Sequence, residues 1–163
     1  MTLLMINPIL GLYASTLKDT EELVKDIDDA RFAEQPAGIR NHPAWTLGHL
    51  VVSGNFILIQ LDEPPIQLPE SYGKLFPPGT QPTADRSVYP SKQELLTHLR
   101  AVHAAVANAV PRKHEAYFDK PTPEKFRAFV PTRGQLILYL LASHEPGHLG
   151  QLIAWRRAAG LAK

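Results

Sequence analysis

Apolar side chains recur along the chain at the three- and four-residue spacing of an α-helix, and they do so in four separate segments. The first begins at Asn7 and Pro8, a cap residue followed by a proline whose missing N–H costs nothing in a first turn. The second begins at Asn41 and runs to about Leu61, with apolar residues so dense that we expect burial on more than one side. The apolar positions of the first segment are Ile9, Leu10, Tyr13, Leu17, Leu23, Val24 and Ile27.

The other two segments both open with a capping-box pattern, in which a Ser or Thr is followed three residues later by Glu or Gln. Residues 91–94 open the third, which continues to about Val110. Residues 132–135 open the fourth, which runs to Ala159 and stops before Gly160, a natural helix terminator.

Prolines cluster between these segments, in residues 62–90 and 111–131, and strand patterns with a period of two are nearly absent. Four helices with two long proline-rich connections predict an all-α four-helix bundle whose crossovers are not simple hairpins. The length of 163 residues predicts one domain that spans residues 1–163.

Composition narrows the choice of partners. The formal net charge is +1, from 17 basic and 16 acidic residues, and no basic stripe attracts nucleic acid or an anionic membrane surface. The start of the chain lacks a basic region, and no apolar run approaches the roughly 18 residues of a membrane span. With no cysteine, disulfides, a catalytic thiol and thiolate metal ligands are excluded, and a soluble, cytoplasmic protein is predicted.

The candidate chemistry lies in the fourth helix. His144 and His148 are four residues apart, so both imidazoles project from one helical face within reach of a single ion. Two buried histidines are costly unless something satisfies them, and a metal does so directly. The alternative to a shared metal is that one of the two histidines is a hydrogen-bonded core residue and the other lies near the rim of the bundle. The apolar residues of the same face are Ile137, Leu140, Leu141, Leu152 and Trp155.

A third imidazole is predicted on the second helix. His49 lies on a stripe with Trp45, Val52 and Phe56, which also points inward. Facing helices are where bundles build metal sites. Three imidazoles leave coordination positions open for water or substrate, as in catalytic rather than structural sites.

The remaining histidines carry weaker expectations. His42, at the start of the second helix, is either a neighbour of the cap or a group that supports a ligand. His98 and His103 are five apart, so they cannot share an ion, and we expect both to be solvent-exposed. His114 lies in a charged connection and is also expected to be exposed.

The spelling His144-Glu145-x-x-His148 also matches the zincin metalloprotease motif, in which Glu145 would be the general base. Such enzymes take a third ligand from downstream. Only fifteen residues follow His148 here, and none of them is His, Asp or Glu. The protease is therefore a minor alternative.

Two motifs together resemble the DinB-like (DinB/YfiT) superfamily: Asn-His-Pro-Ala-Trp-Thr-Leu-Gly-His-Leu at 41–50, and His-Glu-x-x-His-Leu-Gly-Gln-Leu at 144–152 with Trp-Arg-Arg at 155–157. The resemblance covers nearly the whole chain. It implies an up-down-down-up four-helix bundle, frequently a homodimer, whose three-histidine site holds Ni or Zn. Some relatives are thiol-dependent S-transferases or isomerases that use bacillithiol, mycothiol or glutathione.

The chain departs from the family pattern at two places. Many members have the second-helix histidine about one turn further on, at the position of Ser53, but His49 lies on the same helical face. Pro146 and Gly147 separate the two histidines of the fourth helix, and a kink there would re-aim His148. With these departures, the metal ligands carried over from the family are His49, His144 and His148.

The resemblance implies a metal-dependent transferase or hydrolase that acts on a small electrophile, with a low-molecular-weight thiol or another small molecule as substrate. The alternative is a non-catalytic dimeric bundle with a vestigial histidine site. Glu145 and Gln151 are the catalytic candidates, either of which could instead orient a ligand. Two further polar candidates, Arg40 and Asn41, would grip an anionic substrate. Tyr72 and Phe76 in the first long connection are either part of a lid or, as we expect, an ordered cover of the bundle without a function of its own.

Overall fold

The computed structural model describes residues 3–161. Its helices in chain order are α1 (Leu3–Val24), α2 (Pro43–Gln60), α3 (Tyr72–Leu75), α4 (Lys92–Ala109), α5 (Glu115–Phe118), α6 (Arg133–Tyr139) and α7 (Glu145–Ala158). A π-helical segment, Leu140–His144, joins α6 to α7 without a break, so these three pieces form the predicted fourth long helix. Within residues 3–161 there is no strand, only an isolated bridge between Pro121 and Thr132.

The four long helices form a closed ring in which α2 packs on α4 and α7, and α1 packs on the same two helices from the opposite corner. This arrangement confirms the predicted all-α four-helix bundle of the DinB-like type. None of the helices in residues 3–161 is long and apolar enough to cross a membrane.

The helix starts follow the predicted caps with two differences. His42 rather than Asn41 caps α2, since its Nδ1 accepts the backbone N–H of Trp45. The predicted start of the first helix at Asn7 is wrong: α1 begins at Leu3, and Pro8 lies inside the helix. A proline this close to the N-terminus removes only one intrahelical hydrogen bond, so the earlier turn still forms.

The proline-rich connections are packed against the bundle. The fully buried aromatic side chains include Phe32, Tyr72, Phe76 and Phe118, all of which come from segments between the long helices. Tyr72 and Phe76 therefore belong to the core, which is the ordered cover of the bundle expected for them rather than a lid. Their burial holds the connection between α2 and α4 against the side of α2 that carries His49.

An ion pair between Asp26 and Arg156 fastens the end of α1 to α7, and Arg156 Nη2 lies 2.9 Å from the carboxylate. Hydrogen bonds from Arg156 lower the pKa of Asp26 to about 2. Because this pKa lies below the unfolded value of about 3.9, the stabilisation is complete above pH 4 and is lost as the pH falls towards 2.

We therefore expect Asp26→Asn to lower the melting temperature between pH 5 and 7, and the gap to wild type to close by pH 2. Melting curves from circular dichroism across this range measure the gap. A gap that keeps its size down to pH 2 would contradict the pairing.

Candidate metal centre

Three imidazoles from two helices converge at one point. His49 is contributed by α2, His144 by the end of the π-helical segment and His148 by α7. Each offers a nitrogen, and the three nitrogens lie within 4.8 Å of one another. The Nε2 atoms of His49 and His144 are 3.2 Å apart. Two nitrogens that bind one Zn²⁺ at about 2.0–2.1 Å stand roughly 3.0–3.4 Å apart, so this pair fits a single ion.

Hydrogen bonds orient two of the three rings. His49 Nδ1 donates to the backbone carbonyl of Phe76 at 2.8 Å, which leaves its Nε2 with a free lone pair facing His144. His148 Nδ1 donates to Gln151 Oε1 at 3.1 Å. That oxygen also accepts from Asn41 Nδ2 at 2.9 Å. Such outer partners select the tautomer that presents the other nitrogen to a metal.

Stacking adds to the orientation of His49. The Trp45 ring lies parallel to the His49 imidazole, with centroids 4.7 Å apart and an interplanar angle of 8°. Trp45 is itself held by a hydrogen bond from its Nε1 to Thr80 Oγ1 at 2.9 Å. The ring of His49 is therefore held at its Nδ1 by the Phe76 carbonyl and on its face by Trp45.

Burial keeps the cluster uncharged near neutral pH. Loss of solvation lowers the pKa of His144 and of His148 to about 4, with the neighbouring histidines adding to the effect. Burial lowers the pKa of His49 as well. Neutral imidazole is the form that binds metals, so these donors fit a divalent ion without first losing a proton.

The π-helical segment explains how Pro146 fits between His144 and His148. A π turn is wider than an α turn because its hydrogen bonds span five residues instead of four. It ends at His144, two residues before Pro146, where a regular α-helix would need the N–H that proline lacks. The rings of His144 and His148 then lie with centroids 4.7 Å apart, so the proline does not turn His148 away.

A pocket of about 470 Å³ opens beside His49 and His144. Its other walls are mostly apolar. They come from α2, from Pro77 and Pro78 between α3 and α4, from the connection before α6, and from the last long helix. The part of the wall that comes from residues 125–130 was not predicted from the sequence. Its signal was the pair Phe126 and Phe129, two aromatic residues in an otherwise charged connection.

A family model described as the DinB superfamily matches residues 12–152. The chain belongs to the DinB superfamily. The match spans α1 to α7 and includes all three histidines of the cluster. Neither the comparison with curated proteins nor that with solved structures found a match. The family assignment of this DinB-superfamily protein therefore rests on the family model together with the bundle and its histidines.

His49, and not His42, meets the two histidines of the last helix. The His42 ring is fully buried, with its Nδ1 on the cap of α2 and its Nε2 3.0 Å from the carbonyl of Thr83. Both nitrogens are thus committed elsewhere. Ser53, one turn beyond His49, lines the pocket beside the cluster.

The two catalytic candidates differ in where the structure places them. Gln151 accepts a hydrogen bond from His148, as described above, and does not line the pocket. Glu145 is buried, and its Oε1 lies 2.8 Å from His103 Nε2 on α4 rather than in the pocket. The structure thus places Glu145 in a buried contact with His103 on α4, away from the pocket.

The prediction that His103 is exposed is wrong. Its side chain is 4% exposed, stacks on Tyr13 with ring centroids 3.8 Å apart and meets Glu145. His98 is half-buried, with its Nδ1 2.8 Å from the Tyr72 hydroxyl. His114 is exposed, as predicted.

Of the two residues expected to grip an anion, Asn41 supports Gln151 instead. Arg40 makes a hydrogen bond to Gln81 at 2.5 Å. Neither residue lines the pocket, so the structure does not bring them to a substrate position.

Gly48 allows Phe76 to approach α2 closely enough for its carbonyl to reach His49. The Phe76 ring occupies the space that a Cβ on Gly48 would take, and Phe76 is fully buried. We expect Gly48→Ala to cost about 1–3 kcal/mol of unfolding free energy through overpacking, and to weaken metal binding by displacing the carbonyl.

Chemical denaturation and metal titration measure the two effects of Gly48→Ala. The matched control is Gly11→Ala on α1, where a Cβ meets nothing within 4 Å. It should gain about 0.5–1 kcal/mol, as expected for a helix interior. Equal behaviour of the two variants would show that Phe76 does not depend on Gly48.

Proposed function

We propose that this DinB-superfamily protein is a metal-dependent enzyme that transfers a thiol to, or hydrolyses, a small electrophile. The observation that carries the proposal is the convergence of three neutral imidazoles at the edge of an apolar pocket. A closed structural site would have four protein ligands, whereas three leave room for reactants.

The proposed ligands are His49, His144 and His148, and the proposed metals are Zn and Ni. Imidazole donors suit both of these metals. When bound, such an ion supplies Lewis acidity that lowers the pKa of a water or a thiol.

In this proposal the residues of the chain orient the imidazoles and hold the electrophile. The Phe76 carbonyl and Gln151 hold the tautomers of His49 and His148, so that lone pairs face one point. The apolar walls hold the electrophile beside the histidines.

The chain has no cysteine, so a nucleophilic sulfur must come from a separate small thiol. In the transfer reaction a sulfur–carbon bond forms and the leaving group departs from the electrophile with the bonding electrons. The proton of the thiol passes to solvent. Glutathione, bacillithiol and mycothiol are the thiols that the family resemblance suggests.

The test uses protein freed of metal by chelation and then reloaded with Zn or Ni. Each form is assayed with each of the three thiols and 1-chloro-2,4-dinitrobenzene, from which sulfur displaces chloride, and separately with p-nitrophenyl acetate for hydrolysis. We expect at least a tenfold rate increase over the uncatalysed reaction in a metal-loaded form, and none after chelation. Rates equal to the uncatalysed reaction in every combination would overturn the enzyme proposal.

A homodimer is part of the proposal, as in many relatives. Met5 and Leu12 lie two turns apart on α1 and are 51% and 60% exposed, which gives this helix apolar side chains to cover. Sedimentation velocity over a range of concentrations measures the assembly.

A further inference from the structure

The pocket beside the histidines has a definite length. It runs along α2 from His49 to Phe56, which at 1.5 Å per residue is about 10 Å. The last helix follows it from His144 back to Leu136, which is about 12 Å. At the far end the ring of Phe126 meets that of Phe56, with centroids 5.6 Å apart. The histidines therefore mark one end of an elongated space.

The walls of that space are apolar and partly aromatic. The volume of about 470 Å³ lies within the range of sites for small organic ligands. Phe129 lines the pocket while its side chain is 68% exposed, and its ring rests edge-on against Tyr139 at 5.1 Å. A large apolar side chain left in water beside a cavity gains burial when an apolar molecule enters.

Charge differs between the two ends. Among the described residues that line the pocket, Lys125 is the one permanently charged side chain, and no carboxylate lines it. The Lys125 ammonium lies 4.9 Å from the centroid of the Phe126 ring, which belongs to the end remote from His49. An anionic group at that end would meet a cation, while one near the middle would meet only apolar walls.

We infer that the pocket binds a small apolar compound, roughly 10 Å long, that carries one negative charge at the end remote from the histidines. The placement of its reactive group at the histidine end rests on the proposed function. The binding itself does not, because the apolar walls and Lys125 need no metal.

Two fluorescent probes of the same shape test the inference. 8-Anilinonaphthalene-1-sulfonate is an aromatic monoanion, and N-phenyl-1-naphthylamine is its neutral counterpart without the sulfonate. We expect both probes to bind with one site per chain, and the anion to bind more tightly by about three- to fivefold, the size of an exposed ion pair.

Lys125→Met tests the charge. It should weaken binding of the sulfonate by about three- to fivefold and leave the neutral probe unchanged. The matched control is Lys120→Met in the same connection, where the ammonium lies over the Tyr117 ring and does not line the pocket. Equal effects of Lys125→Met on the two probes, or equal effects of the two lysine variants, would overturn the inference.

Ser53→Trp tests the location, since an indole in the middle of the pocket leaves no room for either probe. We expect at least a tenfold loss for both, against no loss for Ile59→Trp on the exposed side of the same helix. If Ser53→Trp does not fold, Phe129→Ala decides instead, because Phe129 is mostly exposed and its loss should weaken both probes several-fold. Unchanged probe binding in the variant that is measured would overturn the inference.

The titrations are run on metal-free and on Zn-loaded protein. Probe binding without catalysis in either form would support the pocket and count against the proposed enzyme. Catalysis without probe binding would support the enzyme and reject this class of ligand.

Discussion

Replacing His144 by alanine is expected to lower the metal content of protein purified without a histidine tag from about one ion per chain to background. His144 Nε2 lies 3.2 Å from His49 Nε2, and its loss leaves two donors, His49 and His148, on different helices. Removal of an outer hydrogen-bonding partner alone typically costs 10–100-fold in affinity. We expect the loss of a ligand itself to exceed about 100-fold. Plasma mass spectrometry of the purified protein measures the metal.

The matched control for this variant is His114→Ala, which removes an exposed histidine from a connection far from the cluster in sequence. It should retain its metal. A second readout is thermal: a ligand that binds only the folded state raises the melting temperature. Chelation should therefore lower the melting temperature of wild type and leave that of His144→Ala unchanged. Metal retained at wild-type stoichiometry in His144→Ala would reject this histidine as a ligand.

Replacing Glu145 by alanine is expected to cost about 1–3 kcal/mol of unfolding free energy, because the buried His103 ring nitrogen loses its partner. Its carboxylate oxygen and His103 Nε2 are 2.8 Å apart, and both side chains are nearly completely buried. Neither atom has another hydrogen-bond partner among the described residues, so each depends on the other. Burial raises the pKa of Glu145, while His103 acts to lower it. Removing one partner leaves the other buried and uncompensated.

A double replacement separates loss of the Glu145–His103 contact from loss of packing volume. His103→Leu with Glu145→Leu puts two apolar side chains in the same space, and such exchanges are often neutral or stabilising. We expect the double variant to recover most of the stability that Glu145→Ala loses. Denaturant titrations measure the unfolding free energy of each variant. They use metal-free protein, so that altered metal binding at the neighbouring His144 does not contribute. Single variants within about 0.5 kcal/mol of wild type would contradict the buried pair.

The error at His103 shows how far spacing can be used. The spacing of five residues correctly indicated that His98 and His103 lie on different faces of α4, but the prediction that both are solvent-exposed did not follow from it. His103 follows Leu99 by four residues and precedes Val106 by three, so it lies on the buried stripe of α4. That signal was present in the sequence. Its partner was not predictable in the same way, because Glu145 lies on another helix.

Local regularities of the sequence determined the four helices, the caps at Ser91 and Thr132, and the shared face of His144 and His148. Only the Thr132 cap forms the full capping box, since at Ser91 the hydroxyl accepts from the Glu94 N–H without a return bond. These depend on contacts three or four residues apart, whose geometry the backbone sets by itself. Sequence also pointed to His49, since an inward-facing histidine in a bundle has only the facing helices to meet.

Only the tertiary structure decided how those parts meet. The 3.2 Å approach of His49 to His144 joins residues separated by 95 positions, and the carbonyl that orients His49 comes from a connection 27 residues away. The pocket likewise needs residues 125–130 to fold back over α2. Such distances follow from the packing of helices and connections against one core, and no local spacing encodes that packing.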